Sequence, residues 1–347
     1  MINIKLTIPG QKQNISISQF TGNNNNEING CKFWINTEIK NPDVWFVFEN
    51  IEKNKESTII NPKNVIYLNS ETSFNEDHFL RESTNNYLSQ YSSIFTTYET
   101  KQKSEKTLPF LPWMINANHG QSVFAESKRD INFFFELKKL EKTKTLSIIC
   151  SDKEFTDGQK KRLDFVHELK NYFGSSLDWY GNGINPLKEK WDGISSYKYN
   201  ISIENNQKNY LISEKLMDSF LGLSFPFYSG ARNASNFFDN NSFSMIDINN
   251  LDKSIQIIEE GIEKNLYEKN FEHLLKSKNL VLEEYNVFFR ISKIAKVILD
   301  RKPQRRSKTT IKNLSFYQNK YNKKQRLINL FIFYAKKLKG LLKKNNN

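Results

Sequence analysis

The chain has 347 residues, 38% of them hydrophobic and 14% aromatic, which is long enough for two cores and too apolar for a disordered segment. Its two cysteines, Cys31 and Cys150, stand far apart without CxxC spacing, which argues against a disulfide framework or a zinc cluster and points to a reducing, intracellular setting. The net charge of +13 is concentrated at one end: residues 301–347 carry fifteen Lys and Arg and no acid, so residues 1–300 are slightly acidic.

The opening MINIKLTIPG lacks the basic start and apolar stretch of a secretory signal. No run approaches the roughly 18 apolar residues that a membrane span requires. A cytoplasmic protein is therefore expected. Ile2, Ile4, Leu6 and Ile8 alternate as an opening strand, followed by a turn at Pro9-Gly10 and a second short strand at 15–17. The continuous apolar run between Asp43 and Glu49 reads as a buried parallel strand. A second run, Val65 to Asn69, delivers Glu71 to its carboxyl end, where ligands gather in open α/β sheets. The spacing predicts a helix over 79–91 and a strand over 94–98. Leu108 to Trp113, with Pro109 and Pro112, reads as a breaker-rich surface segment. His119 follows in a polar loop and is read as structural or solvated rather than catalytic. An amphipathic helix over 132–141 closes the first domain.

A second domain opens with an apolar strand at 145–150. Asp157 is the candidate N-cap of a helix in which Leu163, Val166, Leu169 and Phe173 recur at helical spacing. Arg162 lies within about two turns of that helix start, where a cation and free backbone N–H groups together suit phosphate. Leu177 to Gly181 reads as a strand ending in GNG; a bare G-x-G lacks the rest of a dinucleotide fingerprint. Next comes an alternating strand, 197–204, and a polar loop, 205–209. Ser213 is the expected N-cap of a helix running through Leu221, with Gly222 as its stop and a strand at 225–228 beyond. This βαβ unit places Glu204, Asn205, Glu214 and Lys215 beyond the strand ends. A last strand is expected at 242–248 and helices over 251–300.

After a basic linker at 301–308 the pattern predicts two helices. In the second, Leu327, Phe331, Tyr334, Leu338 and Leu341 form a stripe broadly opposite Lys336, Lys339 and Lys343. Such a helix suits an anionic membrane surface or packs back on the protein with its lysines solvated. Counterion release by the same charges makes a nucleic-acid-binding protein the rival reading, against which stands the slightly acidic remainder of the chain.

The segments IENN, SEKLMDSFL and FPFYSG, together with LDWYG, resemble the donor-binding core of glycosyltransferase family 10, the α1,3-fucosyltransferases, in their soluble bacterial form. The resemblance covers about thirty residues around 197–230. It implies an α/β protein of GT-B type: two Rossmann-like domains facing across a cleft, 1–145 for the acceptor and 146–275 for the donor, with a helical extension at 276–347. It also implies inverting transfer of L-fucose from GDP-fucose to a hydroxyl of a glycan acceptor, such as lipopolysaccharide or another surface glycan. The same fold with a different nucleotide sugar is the alternative. By resemblance, Arg162 and Lys215 bind the donor diphosphate, Glu71 is the general base and Glu214 meets the donor sugar. Asn205, Tyr210 and Gly181 contact the nucleotide. The family tyrosine three positions before the Glu falls here on Leu211, with Tyr210 one earlier. No D-x-D occurs, so cationic side chains are expected to take the charge role of a metal, with no cofactor. Related bacterial enzymes end in basic amphipathic segments, which favours a peripheral membrane role for the tail.

Overall fold

A computed structural model of the chain describes residues 1–13, 15–70, 77–117, 124, 127–301 and 305–328. Strand β1 (Ile2–Thr7) leads through a single helical turn, α1 (Ser18–Thr21), to β2 (Glu27–Ile28) and β3 (Cys31–Ile35). Then come β4 (Val44–Phe48), β5 (Lys55–Ile60), β6 (Val65–Leu68), α2 (Asp77–Leu80), α3 (Glu82–Leu88), β7 (Ser93–Thr96) and β8 (Glu105–Lys106). All of these strands except β5 form one sheet in the order β2-β3-β1-β4-β6-β7-β8, parallel apart from the β2–β3 pair. The apolar run at 44–48 is buried along its whole length, as a central parallel strand covered on both faces must be.

Several local expectations in this half are corrected. Residues 15–17 are not a strand, because the chain turns there into α1 and buries Phe20, with Gly22 at φ 72° closing the turn. The helix expected over 79–91 is split in two by Arg81, whose extended backbone (φ −63°, ψ 142°) restarts it as α3. The restart lets Tyr87 pack edge-on against Tyr67 and Tyr91.

The segment from Leu108 to Trp113 is buried rather than superficial, with Leu108, Phe110 and Trp113 in the core. Its prolines lack N–H groups, so its carbonyls are the groups that need partners. Arg290 supplies them, donating to Leu108 O (2.7 Å), Pro109 O (2.9 Å) and Thr107 Oγ1 (2.8 Å). Similarly, α4 (Ile131–Glu136) stops short of the predicted 141. Buried Lys278 takes the carbonyls of Phe134 and Leu137 at its end.

The second sheet is wholly parallel. It contains β9 (Lys144–Ile149), β10 (Leu177–Tyr180), β11 (Tyr197–Ile203), β12 (Phe225–Ser229) and β13 (Ser244–Met245), in the order β10-β9-β11-β12-β13. Helix α5 (Asp157–Phe173) connects β9 to β10 and α6 (Glu214–Leu221) connects β11 to β12. The last strand is two residues long instead of the expected seven. Asp239 caps Asn241 N just before it and Asp247 accepts from Asn249 N just after it, turning the chain on both sides. Helices α7 (Leu251–Glu263), α8 (Leu266–Lys269), α9 (Phe271–Glu283) and α10 (Val287–Leu299) follow. One apolar core runs from β1 and β3 of the first sheet through the second sheet to α10.

The basic segment after α10 holds a strand that periodicity did not reveal. Strand β14 (Ser307–Lys312) pairs antiparallel with β5, burying Ile311, and Lys312 exchanges hydrogen bonds with Gln90. A helix over 314–328 continues from it, with Leu314 and Tyr317 packed on the tyrosine cluster of the first sheet. Leu327 and Ile328 are exposed. The remaining stripe, Phe331 to Leu341 with Lys336, Lys339 and Lys343, lies outside the described residues. Among the described residues no helix is long and apolar enough to cross a membrane.

Candidate active site

Strands β9, β10 and β11 end side by side, and their carboxyl ends with α6 enclose a cavity of about 550 Å³, within the range of small-molecule sites. Its walls include Cys150 and Ser151 after β9, Gly181 and Asn182 after β10, Ile203, and Glu214, Lys215 and Asp218 of α6. Met114 and Ala117 close it from the segment that follows the first sheet. Gly181 has φ 150°, and a Cβ there would collide with the carbonyl of Cys150. Only glycine lets β10 turn away so close to β9.

Helix α5 is started by Thr156, not Asp157. The Thr156 side chain accepts from Gln159 N while Gln159 returns to Thr156 N, a reciprocal capping box. Gly158, in the first turn, sits where a Cβ would strike the Asn205 carbonyl, so the helix start lies directly on the loop after β11. One and a half turns in, Arg162 points inward and is 6% exposed, whereas Lys160 and Lys161 stay outside. Arg162 Nη1 donates to Asn205 Oδ1 at 2.6 Å. Among the described residues its Nε and Nη2 are buried without a hydrogen-bond partner. Burying a guanidinium with two unmet donors costs several kcal/mol (roughly, for an uncompensated ion), and an anion in the cavity would offset that cost.

Helix α6 begins at Ser213, whose side chain accepts from Lys215 N. The Ser213 hydroxyl and backbone N–H both donate to Glu204, which is 4% exposed at the end of β11. Lys215 Nζ bridges Glu204 Oε2 (3.2 Å), Ser213 Oγ (3.0 Å) and Glu214 Oε1 (3.5 Å). Burial works against its charge, but Glu204 and Glu214 raise its pKa well above that of an ordinary lysine. Glu214 mirrors this: burial opposes its ionisation, yet Lys215, Lys190 and the helix-start N–H groups hold it well below the usual carboxylate range.

Lys190 and Asp218 complete the cluster, and neither was expected from sequence. Lys190 Nζ lies 3.2 Å from Asp218 Oδ2 and 3.4 Å from Glu214 Oε1. Asp218 Oδ1 accepts from Met114 N at 2.8 Å. Burial pushes Asp218 up to about 6, with Lys190 opposing and Glu214 adding to the shift. An acid inside the apolar run LMDSFL was the available signal, since a buried carboxylate requires a partner. Nothing near residue 190 marked the lysine that answers it.

Arg162, Glu214, Lys215 and Gly181 are thus brought together on one cavity, and Asn205 reaches it through Arg162. Tyr210 stands apart from the cavity lining: its backbone is left-handed (φ 69°), its N–H donates to Asn233 Oδ1, and its ring packs on Phe237. Glu71 and His119 lie outside the described residues. Among the described residues no group of three His, Cys, Asp or Glu is placed to hold a metal ion.

Comparison with known proteins bears on this site. Residues 139–314, just over half of the chain, match the family model described as glycosyltransferase family 10 (fucosyltransferase), C-terminal part. A crystal structure of alpha1,3-fucosyltransferase with GDP is similar over 87% of this chain and 92% of its own, with TM-score 0.50 and 16% identity. The same protein class with GDP-fucose aligns over 88% and 92%, with TM-score 0.48 and 16% identity. A structure described as trehalose-6-phosphate from E. coli bound with UDP-2-fluoro glucose aligns over 87% of this chain and all of its own, with TM-score 0.50 and 6% identity. No curated protein matches the chain. The two parallel sheets with their connecting helices form a GT-B fold.

Proposed function

The chain belongs to glycosyltransferase family 10, the fucosyltransferase family, and from that premise we propose that it transfers L-fucose from GDP-fucose to a hydroxyl of a glycan acceptor. The observation that carries this reading is Arg162, a buried guanidinium that lines the cavity at the strand ends and that, among the described residues, has two N–H donors without a partner. A diphosphate suits that guanidinium in charge and in its capacity to accept hydrogen bonds. The donor side is assigned to residues 146–275 and the acceptor side to 1–145.

In a single displacement the acceptor oxygen bonds to C1 of fucose as the bond from C1 to the diphosphate oxygen breaks, inverting the anomeric centre. Negative charge grows on the leaving GDP, and Arg162 stabilises it together with the ammonium of Lys215 at the start of α6. Lys215 enters this role already held by Glu204, so its position is set before the donor arrives. Glu214, held ionised, accepts from a hydroxyl of the donor sugar and faces the positive charge that develops at C1. The acceptor proton passes to a carboxylate, and Glu71 is assigned that role from the family pattern. Asn205 meets the ribose and holds Arg162; Gly181 and Tyr210 belong to the nucleotide end of the assignment.

A panel of GDP- and UDP-sugars, read by thermal shift and by donor hydrolysis, tests the donor. GDP-fucose is expected to give the largest response, and no response to it while another nucleotide sugar responds overturns the assignment. The proposal extends to an anionic membrane surface for the basic tail, at the cytoplasmic face. Because β14 and the helix over 314–328 are built into the first half, the deletion that tests this is 329–347. Loss of sedimentation with anionic vesicles, with transfer to a soluble acceptor retained, is the expected result.

A further inference from the structure

Lys190 lies outside every motif in the chain, yet it sits in the cavity between the two carboxylates of α6. We propose that Lys190, braced by Asp218, is a positioning residue that fixes the Glu214 carboxylate where the donor sugar meets it. The proposal rests on the reading of Glu214 as the donor-sugar contact.

The base of Lys190 is locked from several directions. It opens a short 3-10 turn, Lys190–Gly193, in the connection between β10 and β11. Lys190 N donates to Ala117 O (3.2 Å) and Trp191 N to Ile115 O (2.8 Å), tying the turn to the segment that walls the cavity. Glu189 is ion-paired with Arg129, whose guanidinium also lies 4.8 Å over the Trp191 ring. That ring packs against Phe133 and Phe134 at 5.8 and 6.2 Å. Both neighbours of Lys190 are therefore immobilised, and its side chain starts from a defined point.

At the other end the ammonium is shared. Asp218 is 1% exposed, with Met114 N–H on one oxygen and Lys190 on the other, so it serves to anchor the lysine rather than to meet a ligand. Lys190 and Lys215 approach the same oxygen of Glu214, one from the β10–β11 connection and one from α6 itself. Lys215 is also committed to Glu204 and Ser213. Lys190 is thus the cation that holds Glu214 from outside its own helix. A role limited to neutralising Asp218 predicts a cost in stability without a separate effect on the sugar.

The test compares wild type with Lys190→Met and Lys190→Arg in the full chain, measuring GDP and GDP-fucose binding by calorimetry, steady-state transfer, and Tm. For Lys190→Met we expect GDP affinity within about threefold of wild type and kcat lower by roughly 10- to 100-fold. GDP-fucose should lose the affinity it gains over GDP. The acid limb of the kcat profile should move to higher pH, since among the described residues Glu214 then keeps Lys215 and Ser213 and faces the Asp218 carboxylate without its lysine, and Lys190→Arg should recover most of kcat. Unchanged kcat, or GDP binding that falls in step with kcat, overturns the proposal. If Lys190→Met does not fold, Lys190→Arg and Lys190→Gln decide by the same ratio of kcat to GDP affinity. A wild-type chain that turns over another nucleotide sugar refutes the fucose donor alone, and Lys190 is then judged on that sugar. A wild type that binds no nucleotide sugar refutes both.

Discussion

The carboxyl ends of the two sheets solve the same problem differently. In the first sheet Glu49 follows β4 with a left-handed backbone (φ 52°), and among the donors to its carboxylate are Tyr67 OH at 2.7 Å, Asn69 Nδ2 at 2.8 Å, and the N–H of Ser70. In the second sheet the corresponding ends carry Glu204, Glu214 and Asp218 against Lys215, Lys190 and Arg162. These donors tie the ends of β4 and β6 together. Charged partners make a site whose field can act on a ligand, and one guanidinium there keeps two donors unmet. The proposed anion site therefore lies at the second set of strand ends.

The sharpest way to break that contrast is Lys215→Ala. It removes the cation from Glu204, 4% exposed, and leaves a buried carboxylate with Ser213 as its remaining partner. A loss of about 3–5 kcal/mol in denaturant unfolding is expected. Glu49→Gln, which keeps one acceptor oxygen for the donors of Tyr67, Asn69 and Ser70, should cost about 1–3 kcal/mol. Equal costs would erase the distinction. Arg162→Ala should do the reverse of Lys215→Ala. GDP affinity is expected to fall about 100-fold, the effect of one or two lost charge-assisted hydrogen bonds, while stability stays within about 1 kcal/mol because an unmet buried ion is removed. Retained GDP binding would show that the unpartnered donors are not the phosphate site.

A smaller effect separates ionised from neutral support. Glu214 has a folded pKa below its unfolded value of about 4.3, so its contribution to stability is complete at neutral pH and fades as pH falls through the folded value. The Tm advantage of wild type over Glu214→Gln should therefore be full at pH 7 and shrink below about pH 4. Asp218, raised to about 6, works in the opposite sense between about pH 4 and 6, and because Glu214→Gln removes one cause of that shift, Asp218 offsets part of the difference above about pH 4. An advantage independent of pH would mean that Glu214 is held by shape rather than charge. The smallest expected effect is that of EDTA: transfer should continue in its presence, with Arg162 and the lysines supplying the positive charge. Abolition of activity that Mn²⁺ or Mg²⁺ restores would overturn that expectation.

Much of the site was legible because its parts are local. The Ser213 cap, the first-turn Glu214 and Lys215, the α5 face that carries Arg162, and the Gly181 turn depend on residues a few positions apart. Hydrogen-bond geometry and helical periodicity are written over such distances, and the family pattern was recognised from the same short segments. The uninterrupted apolar strands were legible for the same reason.

Tertiary structure alone decided how the charges pair and which irregular segments are buried. Lys190 meets Asp218 across 28 residues, Arg290 satisfies carbonyls more than 180 positions earlier, and β14 pairs with β5 from the far end of the chain. No local period encodes such contacts. They are chosen because a buried ion or carbonyl without a partner is costly, and the partner is whichever group the completed fold brings within reach. By itself the sequence determined the uninterrupted apolar strands, the Ser213 start of α6 and the resemblance to the family. The folded chain determined that Lys215 comes already paired, that Arg162 keeps two N–H donors without a partner among the described residues, and that Lys190 stands between Glu214 and Asp218.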